Sequence, residues 1–242
     1  MHEYRVPLDP RKPGQFLACC GMFELADISA PGGIAAFERA GQLFALNTDA
    51  TFPPKELKLL PAAEFENKTL EPLTLACTGG ELALNWWLNE TLTGKSAFKT
   101  WGGQQTPRRV LEELLGELKG TIAVEEMFAW TRYMKSRFGG DARAAWEALD
   151  AGYSPNDIGQ DAATFPWVEI LAVIGLQGFR PAQQKRARYR YSAWSDPLPI
   201  AAARAACAAP WPGLSAQTFE FEVAVRGQGY KTFLFAEGVN HA

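Results

Sequence analysis

Hydrophobic and polar positions change period several times along the first ninety residues. Tyr4-Arg5-Val6-Pro7-Leu8 alternates as a short strand. Asp9 to Gly14 is turn-rich, and Pro13 suits the first turn of a helix. Phe16, Leu17, Cys20, Phe23, Leu25 and Ile28 then recur at helical spacing and predict a helix over 16–28, which Pro31-Gly32-Gly33 ends. Ile34 to Arg39 and Gln42 to Leu46 read as two strands around Ala40-Gly41. Pro54 to Phe65 reads as a short helix interrupted by Pro61. Leu73 to Cys77 and Glu81 to Leu88 are extended, with Leu82, Leu84 and Trp86 alternating against polar or small residues. Strand, helix, strand, strand, helix, strand is the βαββαβ order of a ferredoxin-like core, as in RNA-recognition (RRM-like and RAMP-like) modules.

The middle of the chain is more helical. Thr106-Pro107 opens a helix to Lys119, and Asp141 caps a second over 142–149. Pro166 sits at the first turn of a third, Trp167 to Gln177, closed by Gly178 and followed by Pro181. That helix is apolar nearly all round, which places it in the core. Arg188 to Trp194 alternates as a strand, and Phe219 to Val225 pairs with Tyr230 to Phe235 as a C-terminal β-hairpin across Arg226-Gly227-Gln228-Gly229. With no internal repeat and no clear linker, residues 1–242 read as one elaborated α+β domain. Residues 1–90 are the candidate ferredoxin-like core, and 91–242 add a central helical elaboration and the C-terminal strands.

Composition narrows the function classes. The 242 residues are 47% hydrophobic and 21% charged, enough chain to bury a core. The net charge of −3 means that any nucleic-acid contact must come from a local patch. No run approaches the roughly 18 apolar residues of a membrane span, and Met1-His2-Glu3-Tyr4-Arg5 is a polar start, so a cytoplasmic protein without membrane contact is expected. Cys19, Cys20, Cys77 and Cys207 form no C-x-x-C pair and read as buried, reduced thiols. The two histidines, His2 and His241, lie at the chain ends, which argues against triads, histidine acid–base pairs and histidine-ligated metals. No catalytic residue, metal ligand or cofactor is assigned. Carboxylate-only catalysis stays open, although Glu112-Glu113 and Glu125-Glu126 are sequence neighbours that diverge on a helix.

Gly94-Lys95-Ser96 resembles the end of a phosphate-binding loop, but the required earlier glycine is Asn89. The sharpest signal is Arg180 to Arg190, which holds Arg180, Lys185, Arg186, Arg188 and Arg190 with no acidic residue between Glu169 and Asp196. On a strand, Arg188 and Arg190 share one face, while Tyr189 and Tyr191 share the other. Arginines on such a face can contact phosphates and tyrosines can stack on bases; the alternative is a solvated edge strand protected by charge. A second cluster holds Lys95, Lys99, Trp101, Gln104, Gln105, Arg108 and Arg109 ahead of a helix N-terminus. Arg226 and Lys231 flank the C-terminal turn, where they can touch a phosphate backbone.

Several stretches together carry a resemblance. They are Pro13-Gly14-Gln15-Phe16-Leu17-Ala18-Cys19-Cys20-Gly21, Phe98-Lys99-Thr100-Trp101-Gly102-Gly103-Gln104-Gln105-Thr106, residues 144–156, Val168 to Gln177, Phe179-Arg180-Pro181 and Tyr230-Lys231-Thr232-Phe233. Spread over nearly the whole chain, they resemble a small Cas protein of the type I-U (I-G, Dpsyc) CRISPR systems, a large-subunit-like component of the Cascade effector. The resemblance implies a role in RNA-guided antiviral interference. Its partners would be other effector subunits and guide RNA or target DNA. It carries no catalytic signature, and the histidine used by some crRNA-processing relatives has no counterpart in the interior of this chain. The alternative is a protein-only scaffold subunit.

Overall fold

The computed structural model describes residues 1–61, 67–89, 91, 94–102, 105–118, 122–143, 162–226 and 230–239. In chain order the elements begin with β1 (His2–Pro7), α1 (Pro13–Ser29), β2 (Ile34–Glu38), β3 (Leu43–Thr48), β4 (Leu57–Leu59), β5 (Leu73–Cys77) and β6 (Gly80–Leu84). The middle holds α2 (Pro107–Gly116), a 3₁₀ turn at Val124–Glu126, β7 (Arg132–Met134), β8 (Ala162–Thr164) and α3 (Pro166–Gly178). The chain ends with β9 (Ala182–Lys185), β10 (Arg188–Trp194), β11 (Leu198–Pro199), α4 (Ile200–Ala208), β12 (Ala216–Arg226), β13 (Tyr230–Phe233) and β14 (Glu237–Val239). The fold is α+β, with every strand pair antiparallel among the described residues.

The two helices with the most apolar sequences form the centre. Every residue of α1 from Pro13 to Ala26 and of α3 from Pro166 to Leu176 is buried. They cross with backbones nearly touching. A Cβ added to Gly21 would overlap the Leu171 carbonyl, and one on Gly175 would overlap the Leu17 carbonyl. Around them lie a four-stranded sheet in the order β1-β3-β2-β11, a sheet β13-β12-β10-β9 with β14 also on β12, and a three-stranded sheet β4-β5-β6. Aromatic rings tie the first two sheets through α1: Phe16 stacks on Tyr191 at 4.3 Å and on Phe37 at 4.9 Å. One continuous hydrophobic core includes residues of α1, α2, α3 and α4.

Part of the expected order of elements is present. β1, α1, β2 and β3 are present, and the hairpin turns through Arg39, Ala40 and Gly41, all at positive φ. Over the described residues 54–61 the expected helix is not there. Leu57–Leu59 is instead a strand that pairs with β5, and residues 62–66 lie outside the described residues. β5 and β6 do not join the sheet of β1; they close their own sheet with β4. The helix expected over 107–119 runs from Pro107 to Gly116, with the Thr106 side chain accepting from Arg109 N. Asp141 Oδ1 accepts from Arg143 N at 3.0 Å, as a cap would, and residues 144–149 of the expected helix lie outside the described residues. So do 150–156 of the family resemblance. The C-terminal hairpin pairs Val223 with Phe233 and Arg226 with Tyr230; its turn, 227–229, lies outside the described residues. All four cysteines are buried, and none is in a disulfide. Among the described residues no helix is long and apolar enough to cross a membrane.

Candidate nucleic-acid interface

The Arg180–Arg190 segment folds into a β9–β10 hairpin at the edge of its sheet, and the alternation of β10 is as read. Arg188 and Arg190 face outward, while Tyr189 and Tyr191 face in. Both tyrosines are core residues, 4% and 0% exposed. Tyr191 donates to the Pro10 carbonyl at 2.5 Å, and Tyr189 packs on Phe98 at 4.6 Å. Tyr189 therefore cannot stack on a base, which corrects its assignment: the apolar face of this strand is claimed by α1 and by the loop at Phe98. The arginines are also answered. β12 lies beside β10 in the register Arg188↔Glu222 and Arg190↔Glu220. Arg190 bonds Glu220 at 2.5 Å, and Arg188 lies 4.0 Å from Glu222. The stretch is free of acid along the chain but not across the sheet. Lys185 and Arg186, at the exposed hairpin tip, have no ion pair among the described residues.

The second cluster divides in the same way. Arg108 bonds Glu71 at 3.2 Å and Glu112 at 3.4 Å, and Arg109 bonds Glu113 at 3.0 Å, so both are committed to ion pairs. Trp101 is 2% exposed, with Trp86 at 5.7 Å and Trp87 at 5.9 Å from its ring. Its burial withdraws it as a stacking platform. Gln105 Nε2 donates to Ser136 Oγ, and Gln104 lies outside the described residues. Gly94 N donates to Asn89 Oδ1 at 3.0 Å, so the asparagine that replaces the phosphate-loop glycine closes a turn of its own.

Lys95, Lys99 and Lys231 are brought near one another by the fold. Lys95 bridges to Leu88, and Ser96 N donates to the Trp87 carbonyl, which fixes the start of the loop. Phe98 then inserts between Tyr189 and Phe233. Strand β13 docks along the loop: Lys231 N donates to the Thr100 carbonyl at 2.8 Å, and Lys231 Nζ to the Ala97 carbonyl at 3.3 Å. Lys99 Nζ donates to the Trp101 carbonyl at 2.8 Å and lies 5.0 Å from the centre of the Trp101 ring. Lys95 is exposed, Lys231 half-buried and Lys99 only 4% exposed. Burial, with the like charges of Lys95 and Lys231, pushes the Lys99 ammonium down to about 8. Burial and Lys95 lower Lys231 as well. No carboxylate among the described residues offsets either one. Comparison with protein families, curated proteins and solved structures found no match.

Sequence reading named all three lysines but assigned them to two separate segments. What it missed is the pairing of β13 with the 97–100 loop, which makes them one site. The side chain of Arg226, the other residue named at the C-terminal turn, lies outside the described residues. Among the described residues, no three His, Cys, Asp or Glu side chains are grouped to hold a metal ion.

Proposed function

We propose that this chain is a non-catalytic subunit of a type I CRISPR RNA-guided interference complex, in the cytoplasm, where it contacts guide RNA or target DNA. The observation that carries the reading is the convergence of Lys95, Lys99 and Lys231 with no carboxylate to balance them among the described residues. Uncompensated cations at a partly buried site favour an anionic partner, because charge held away from water is costly until it is neutralised. The family resemblance supplies the kind of complex, and the order β1, α1, β2, β3 agrees with the first half of the ferredoxin-like core that many such subunits carry. A protein-only scaffold is the second reading. It is favoured at one place, where Glu220 and Glu222 neutralise Arg190 and Arg188.

Co-expression with the products of neighbouring genes and a guide RNA tests the reading. The chain is expected to co-elute in a ribonucleoprotein, with ultraviolet cross-links to nucleic acid in peptides from 95–101 or 230–233. Elution as a free protein from a complex that assembles without it would contradict the subunit assignment. Cross-links to protein alone would leave the scaffold. Reproducible nuclease activity abolished by one carboxylate substitution would contradict the non-catalytic assignment.

A further inference from the structure

We infer that Lys95, Lys99 and Lys231 form a pocket for one phosphate group, and that the buried Lys99 decides whether it is occupied. The identity of that phosphate as part of a nucleic-acid backbone rests on the functional reading above. The pocket itself rests on geometry. Its residues come from elements far apart in sequence, the 95–101 loop and β13, held together by the Lys231 N to Thr100 O bond and by Phe98 in the core. The three residues are graded in burial: Lys95 exposed, Lys231 half-buried, Lys99 buried.

Among the described residues the donors outnumber the acceptors they have been given. Lys99 spends one donor on the Trp101 carbonyl and Lys231 one on the Ala97 carbonyl, whereas each ammonium has three. Among the described residues the buried Trp101 Nε1–H has no acceptor either. An ammonium surrounded by further donors is matched by a group that only accepts, and a phosphate offers several charged oxygens at once. Among the described residues the titratable groups that act on Lys99 are Lys95 on its own loop and Lys231 on β13, while Tyr189 of β10 packs on the neighbouring Phe98. None of these is an anion at neutral pH.

Lys99 also distinguishes this pocket from a scatter of surface lysines. An ordinary lysine keeps its proton to roughly pH 10, whereas Lys99 loses it near 8. A bound phosphate stabilises the charged amine, so it draws a proton onto Lys99, and binding must weaken as pH rises through that value.

The test is NMR of protein carrying ¹³C-labelled lysine, with inorganic phosphate and a short oligoadenylate as separate probes. Lys99→Met assigns the Lys99 signal. Each probe is expected to move the Lys99 titration to higher pH, and its affinity is expected to fall as pH rises past the free midpoint. Lys99→Met should lower affinity for both probes by about tenfold. Should that variant fail to fold, Lys95→Gln and Lys231→Gln keep the question decidable, since each should weaken both probes while Lys99 still titrates. A Lys99 signal unmoved by either probe overturns the pocket. Movement by phosphate but not by oligoadenylate upholds the pocket and removes the nucleic-acid reading. Oligoadenylate binding with Lys99 unmoved overturns the pocket and leaves that reading standing.

Discussion

Glu169 is a carboxyl inside the core, at the first turn of α3, with no exposed surface. Burial raises it to about 7, outweighing the Gly139 and Asp141 N–H groups that donate to it. The folded state therefore holds this proton more tightly than the unfolded chain. Its contribution to stability is full below the ordinary carboxylate range and is lost as pH climbs from about 4.5 towards 7, by at most about 3 kcal/mol. Urea unfolding is expected to give greater stability at pH 5 than at pH 7.5, and Glu169→Gln should flatten that difference. An unchanged difference in the variant would place its origin elsewhere. At Tyr191, removing the hydroxyl as Phe should cost about 1 kcal/mol, whereas Tyr191→Ala should cost about 3–5 kcal/mol, both read from melts. The two-residue alternation of β10 made the inward tyrosines and outward arginines legible. The partners of those arginines were not, because Glu220 and Glu222 stand thirty residues away and depend on a register that only the sheet supplies.

At the scale of elements, the crossing of α1 over α3 sets how tightly the core can close. Alanine at Gly21 or Gly175 gains helix propensity of up to about 1 kcal/mol, but its methyl meets a backbone carbonyl of the other helix that cannot move aside cheaply. A net loss of about 1–3 kcal/mol is expected in urea melts. Gly116→Ala, where an added Cβ meets nothing within 4 Å, should be neutral or slightly stabilising. α1 and α3 were legible because their apolar spacing is long and uninterrupted. The segment over 54–65 was not. Leu57 and Leu59 fit either a helix turn or a short strand, and only β5 alongside decides for the strand.

For the whole molecule, a net charge of −3 and segmental basic residues mean that isolated protein should hold nucleic acid weakly, with the assembly supplying the rest. Sequence reading ranked the Arg180–Arg190 run above the lysines by density of positive charge. The fold takes Arg188 and Arg190 out of that run by pairing them with Glu222 and Glu220, which leaves Lys185 and Arg186 as its unpaired cations among the described residues. The most direct measurement compares RNA affinity against salt concentration for complexes containing three forms of the chain: wild type, Lys95→Gln/Lys231→Gln, and Arg188→Gln/Arg190→Gln. Each lost phosphate contact should flatten the salt dependence by roughly 0.7–0.9 log units of slope. The lysine variant is predicted to bind more weakly with a flatter slope, and the arginine variant to match wild type. Unchanged affinity and slope in the lysine variant, or the whole loss appearing in the arginine variant, would contradict the account.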